Sequence, residues 1–451
     1  MPCFTHQYDL DKRLTQVQRP DGQSLTLDYE PTGGRLATLT APTGPTTITY
    51  HPTTGNVASI ASPGGVGLNY TYDGSLLLGT TWSGPVAGSV TRTYDTDFRV
   101  ATESVNGANP ITFQYDPDSL LTTAGALSLT RHPQHGLLTG TTLGSVADSY
   151  TYSTFGELST YQASYSGLPQ LNVQYTRDTL GRITQKVETI GGATDTYTYG
   201  YDPAGRLIDV TKNGPNVAHY DYDANGNRLS VTRPVTGTVT GSYDAQDRLV
   251  TYGAVSYTYT ANGDLQTATS GGQSTTYNYD VFGNLTAVTL PNGSQIEYII
   301  DGQNRRIGKK VNGTLAQGFL YGNQLQPVAE FDGTGTLVSR FVYGTRINVP
   351  EYLVKGGDNY RIITNHLGSP RLVVDTATGT IAQRLDYDEF GQIILARIPA
   401  SSRLDLPVAS TIRTRSSPAS APATTMRSPA AGRRRTRFGL PPGIQISMDI
   451  S

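Results

Sequence analysis

One phrase recurs along the chain about every 21 residues: a tyrosine, usually an aspartate, a few turn formers ending in glycine, a basic or polar residue, then leucine. It stands at Tyr201–Leu207 (YDPAGRL), Tyr222–Leu229 (YDANGNRL), Tyr243–Leu249 (YDAQDRL) and Tyr279–Leu285 (YDVFGNL). Weaker copies begin at Tyr8, Tyr29, Tyr50, Tyr94, Tyr152 and Tyr259. The steps Tyr8 to Tyr29 to Tyr50, and Tyr201 to Tyr222 to Tyr243, are 21 residues each. A fixed period of this size marks a repeat architecture, in which each unit buries its apolar face against the next.

Each unit reads as two short strands. Before the turn, polar and aromatic residues alternate, as in Tyr197, Tyr199 and Tyr201 or Tyr277 and Tyr279, so the tyrosines share one face of a strand. The aspartate bonds backbone N–H groups ahead of it, and the glycine takes the positive φ that the hairpin needs. After the turn, Arg206-Leu207 and Arg228-Leu229 open the return strand. No amphipathic helical pattern appears between Tyr8 and Gln392. The fold class expected is all-β: tandem hairpins forming a long, curled antiparallel sheet with ladders of tyrosine and leucine. Too few repeats are present to close a cage, so an open trough with association-prone edges is expected.

Only 16% of the 451 residues are charged and the net charge is −2, which gives no field to recruit nucleic acid or an anionic membrane. A single cysteine, Cys3, excludes an internal disulfide framework. No apolar run is long enough for a membrane span, and the first residues lack a signal pattern. The chain enters a repeat directly, which suggests a start inside a longer reading frame.

These repeats resemble the RHS/YD repeats of bacterial polymorphic toxins, insecticidal toxin complexes and animal teneurins, from about Tyr8 to Gln392. Asn365–Pro370 (NHLGSP) and Tyr387–Gly391 (YDEFG) resemble the opening of the RHS-associated core. The resemblance implies a hollow β-shell that encloses a carboxy-terminal toxin, a secretion machinery as partner, a secreted or cell-surface location in intact relatives, and a structural protein that is not an enzyme. It divides the chain into a repeat array (1–319), the start of the core (320–392) and a tail (393–451). In that family, aspartates of the core cut the toxin free.

The tail reads as disordered and Arg/Ser/Pro-rich, with no lysine and no tyrosine. In a shifted frame Pro418–Met426 can encode RFGARDYD and Pro429–Phe438 can encode GRWTAKDPI, which resemble consecutive pieces of the core. A frameshift between Gly391 and Arg397 is therefore expected. With it come loss of autoproteolysis and toxin, a chain that stays in one piece, and trypsin sensitivity at Arg433–Arg435.

No catalytic, cofactor-binding or metal site is assigned. Asp386, Asp388 and Glu389 form an acidic cluster of the kind used in acid/base work, but they fit one more YD turn better. Asp221, Asp223, Asn225 and Gly226 imitate the first half of a calcium loop, yet Thr232 stands where its bidentate glutamate is required. His132 and His135 flank a proline without a third ligand nearby, which favours a turn over zinc. His366, at a family motif position, is taken as a packing residue. Tyrosine faces suit carbohydrate as well as cross-strand pairing, so an extracellular carbohydrate- or cell-surface-binding module is the alternative function. The sparse basic residues argue against nucleic acid.

Overall fold

A computed structural model describes residues 4–397. The described residues form 38 strands and one short 3₁₀ turn, Pro63–Gly65. They make two compact units, one of 4–112 with 254–340 and one of 113–253 with 341–397. Within each unit, successive strands pair antiparallel as hairpins: Ser24–Tyr29 with Leu36–Ala41, Leu168–Arg177 with Ile183–Ile190, Asp358–Thr364 with Pro370–Asp375. The all-β expectation holds.

The motif explains its own turn atom by atom. In Asp202–Arg206 the Asp202 N–H donates to the Arg206 carbonyl and the Gly205 N–H to the Asp202 carbonyl, both at 2.9 Å. Gly205 sits at φ 80°, where a side chain is strained. The Asp202 carboxylate accepts the Arg206 N–H through Oδ1 (2.8 Å) and the Arg206 Nε–H through Oδ2 (2.7 Å). The same pairing recurs in Asp9–Arg13, Asp178–Arg182, Asp244–Arg248 and Asp301–Arg305. Register slips by one residue at the motif tyrosine, as at Tyr8↔Leu14 and Tyr201↔Leu207. That is the bulge a three-residue hairpin loop carries.

The tyrosine fastens one hairpin to the one before it. Its phenol donates to the carbonyl that opens the preceding return strand: Tyr29 to Leu14, Tyr50 to Leu36, Tyr152 to Leu138, Tyr222 to Leu207, each at 2.8 Å. Tyr201 reaches Ile183 at 2.7 Å. Where arginine replaces tyrosine, Arg177 makes the equivalent bond to Leu158. The motif arginine closes the link, with the Arg206 guanidinium 4.9 Å from the Tyr222 ring centroid and donating to the Asp223 carbonyl. Burial pushes the Tyr222 phenol up to about 12, so the donor keeps its proton. Tyr222→Phe should therefore cost about 1 kcal/mol in denaturant unfolding. Tyr8→Phe should cost little, because Tyr8 is 60% exposed.

At the opposite hairpin ends, asparagine does similar work. Asn213, at φ 53°, donates its N–H to the Thr196 carbonyl (2.8 Å) and accepts the Thr196 N–H through Oδ1 (2.7 Å). Asn106 with Ser89 and Asn312 with Gln295 repeat the arrangement. Exposed threonines pair across strands, as Thr258 with Thr267 at 2.7 Å. These hydroxyl pairs let one face meet water with few charges.

In the first unit, strands of 4–112 face strands of 254–340. Trp82 is buried and donates its indole N–H to Asp301 (3.2 Å), and Arg19 donates to the Asp280 carbonyl (3.0 Å). In the second, Val146, Ala163, Leu171 and Val173 pack against Ile363, Leu372 and Val374. The array strands alternate buried and exposed, as Leu168–Arg177 does, whereas Asp358–Thr364 and Pro370–Asp375 are buried on both faces. The sequence division at 319/320 falls inside the strand Thr314–Asn323 and does not interrupt it. Five residues assigned to the tail, Ile393–Arg397, form a strand paired with Ile381–Tyr387. The rest of the tail, with the frameshift and trypsin expectations, lies outside the described residues, as does Cys3.

Candidate functional site

The acidic cluster at Asp386–Glu389 is held by specific partners within the second unit. Asp388 Oδ1 accepts the N–H groups of Phe390 (3.0 Å) and Gln392 (2.8 Å), the YD turn expected from the sequence. Its Oδ2 accepts from Arg233 at 2.9 Å. Asp386 accepts from Arg371 and Arg384, both at 2.9 Å, and Arg371 also grips Glu188 with two bonds of 2.8 Å. Glu389 accepts from the Tyr220 phenol at 3.0 Å, and burial raises its pKa. Asp388 and Glu389 therefore anchor the 341–397 strands onto the 113–253 strands directly, and Asp386 does so through Arg371 and its bonds to Glu188.

A deeper knot surrounds Arg361, which is 2% exposed. Its Nε–H donates to Asp148 Oδ2 (3.0 Å), Nη1 to Glu351 Oε2 (2.8 Å) and Nη2 to Thr141 (3.3 Å); Nη2 also pairs with Asp148. The Tyr161 phenol donates to the other Asp148 oxygen (3.1 Å). Burial alone would disfavour the guanidinium charge, but the two carboxylates offset it and raise its pKa. Sequence reasoning missed this group. Its signal is a charge inside an apolar run, Tyr360-Arg361-Ile362-Ile363.

His366 packs edge-on against Tyr175 with ring centroids 5.1 Å apart, and its Nδ1 lies 3.2 Å from the Tyr175 hydroxyl. Packing is thus joined by a polar contact. Burial, then the charges of Lys186, Arg177 and Arg346, pushes its pKa down to about 4. Glu188 beside Lys186 (3.7 Å) and Glu157 beside Arg177 (3.9 Å) temper that field. The unfolded ring binds a proton more readily, so stability is full above its ordinary value of 6.5 and falls as pH drops from there towards 4. The residue as a whole is solvent-exposed, so screening keeps the loss to about 1 kcal/mol or less. Glu389 acts oppositely, since its raised pKa makes acid stabilising. The difference between wild type and His366→Gln isolates the histidine: urea unfolding between pH 7 and pH 4 should show a shallower decline in the variant.

Other sequence candidates are turn residues. Asp223 accepts the Asn227 N–H (2.8 Å), Asn225 donates to Asp247 (3.0 Å), and Asp221 accepts from Ser230 (2.6 Å). Thr232, the calcium loop's missing glutamate position, pairs with Thr238. The His132 and His135 rings stack 3.8 Å apart, and their Nδ1 atoms accept backbone N–H groups of Gln134 (3.2 Å) and Leu137 (3.3 Å). Among the described residues no group of three or more His, Cys, Asp or Glu is placed to hold a metal. No helix among them is long and apolar enough to cross a membrane.

Tandem hairpins fastened tyrosine to carbonyl, with motif side chains turned to turn closure and strand docking, define a YD-repeat protein of the β-shell class. The chain belongs to the teneurin YD-shell family, whose model matches residues 1–406. It is 25% identical to mouse Teneurin-4 over 318 residues, 68% of this chain and 11% of that protein. It is 30% identical to the tRNA3(Ser)-specific nuclease WapA of Bacillus spizizenii over 196 residues, 42% of this chain and 8% of that protein. The crystal structure of TcdB2-TccC3-TEV shares the fold, with a TM-score of 0.62 at 14% identity, covering 88% of this chain and 24% of that one. The chain thus spans about a tenth of the curated relatives' length.

Proposed function

We propose that this chain is a wall segment of a hollow β-shell that encloses a carboxy-terminal toxin delivered through a secretion machinery, and that its own role is structural and not enzymatic. The observation that carries the reading is the spending of the repeat's side chains. Tyrosine and arginine of the motifs fasten hairpin to hairpin while aspartate and glycine close the turns, which is what a wall requires and what a catalytic site does not. A secreted or cell-surface setting follows from the same reading. The carbohydrate-binding alternative drew on free tyrosine faces, and the repeat tyrosines here are half-buried donors to carbonyls.

The test is limited proteolysis of the whole reading frame that contains this chain, with its flanking segments. The carboxy-terminal polypeptide should resist added protease until the wall is opened by denaturant. Digestion of that polypeptide at the same rate in the native and opened protein would overturn the reading.

A further inference from the structure

Six asparagines precede a glycine: Asn106, Asn213, Asn225, Asn262, Asn292 and Asn312. All six lie in hairpin turns. Glycine puts no side chain over its own nitrogen, so this pair is open to attack of the glycine nitrogen on the asparagine carboxamide. The reaction needs the carboxamide carbon poised over that nitrogen and a turn free to open. The structure separates the six on both counts.

Three are held across the sheet. Asn106, Asn213 and Asn312, at φ 52°, 53° and 49°, each accept a ladder N–H through Oδ1, from Ser89 (2.8 Å), Thr196 (2.7 Å) and Gln295 (2.8 Å). Two are held by acids of other turns: Asn225 Nδ2 donates to Asp247 (3.0 Å) and Asn262 Nδ2 to Asp21 (2.5 Å). Asn292 differs. Its Oδ1 accepts the Ser294 N–H two residues ahead (3.0 Å), and its Nδ2 has no partner among the described residues. That bond arches the carboxamide over the Gly293 peptide and polarises its carbonyl.

The turn around Asn292 also lacks the motif's clasp. The Asp223 carboxylate closes the Asn225 turn by accepting the Asn227 N–H (2.8 Å), and the Thr260 hydroxyl closes the Asn262 turn by accepting the Asp264 N–H (3.1 Å). Leu290 stands at the equivalent position and offers no side-chain acceptor. Backbone bonds from Leu290 N–H to the Ser294 carbonyl and from Gly293 N–H to the Leu290 carbonyl, both 2.9 Å, hold this turn, and Pro291 has no N–H to give. Asn292 and Gly293 are exposed. A turn so held opens more readily than its clasped neighbours.

We infer that Asn292 is a site of spontaneous deamidation and the first of the six to convert. The Gly293 nitrogen bonds to the Asn292 side-chain carbon, the bond from that carbon to Nδ2 breaks, and Nδ2 leaves as ammonia with the proton of the glycine N–H. Water then opens the cyclic imide at either carbonyl. One route gives aspartate; the other gives isoaspartate, which runs the backbone through the side chain and lengthens the turn between Leu285–Thr289 and Gln295–Ile300.

The experiment is peptide mapping by mass spectrometry of the intact chain aged in mildly alkaline buffer, reading the acid fraction at each of the six sites. Asn292 should convert at least about fivefold faster than any of the others, the ratio that one net hydrogen bond of turn closure sets. Leu290→Asp, which restores the clasp, should slow it by a similar factor, and in urea the six rates should converge. Asn292→Gln should remove the signal there and leave the other five unchanged. Native rates that are equal at all six sites, another asparagine converting first, or a Leu290→Asp chain that ages at Asn292 as fast as wild type would overturn the inference.

Discussion

Arg361→Ala should destabilise the second unit by about 3–5 kcal/mol, because it strands Asp148 and Glu351 in a site that excludes water. Asp148 is 5% exposed and Glu351 8%, and Arg361 is the guanidinium between them. The cost is not the worth of the pair. It is the price of leaving uncompensated charge behind. Arg361→Met combined with Asp148→Asn and Glu351→Gln should therefore regain most of the loss, since no net charge then stays buried. Hydrogen exchange in Val146–Tyr152 and Asp358–Thr364 would report the change where it occurs. A loss below about 1 kcal/mol for the single variant would mean that water reaches the knot and that its burial is not what docks these strands.

Trp82→Ala should cost the first unit a similar ~3–5 kcal/mol, from lost apolar area plus the cavity left behind. Trp82 is 1% exposed, lies opposite Leu68 in the ladder, and has the Arg305 guanidinium 5.1 Å from its ring. Trp82→Phe keeps much of the volume but removes the N–H donor to Asp301. Asp301 still holds Arg305 at 2.8 Å, so the smaller change should cost roughly half as much or less. It is the chain's one tryptophan, so its fluorescence in the wild type should be that of a buried indole and should shift red in one step with unfolding. An emission already red in native buffer would contradict the placement of this residue.

How much of this could be read from sequence follows from distance along the chain. The Asp-x-x-Gly turn and the strand on either side are local, and Asp202, Gly205 and Arg206 do there what their chemistry implies. The tyrosine's partner was legible only as a need: a phenol in a half-buried strand must find an acceptor, and the acceptor proved to be a carbonyl 14 to 18 residues earlier, as Tyr50 to Leu36 and Tyr201 to Ile183. The docking pairs were not legible. Arg361 meets Asp148 across 213 residues and Arg371 meets Glu188 across 183, and no periodicity reports such separations. What the sequence does show is arginine set inside apolar runs, which requires a buried acid without naming it. His366 reads as packing because its three cationic neighbours come from elsewhere in the chain, two of them from Leu168–Arg177 and Ile183–Ile190.

The fasteners explain why the array tolerates a low apolar content. Motif hairpins add phenol–carbonyl bonds, carboxylate-closed turns and hydroxyl pairs, so stability grows with repeat number more than with core depth. The double burial of Asp358–Thr364 and Pro370–Asp375 is a different device, closer to a buried strand of a two-layer domain. It places the buried apolar residues Ile362, Ile363, Leu372, Val373 and Val374 on either side of the NHLGSP segment.

The most direct test of the central claim is single-particle electron cryomicroscopy of the intact protein whose reading frame contains this chain. The account predicts a closed wall of short antiparallel strands, with residues 4–397 forming part of it and polypeptide density enclosed within. A solid rod, or a wall with nothing inside it in a protein that still carries its carboxy-terminal segment, would contradict it.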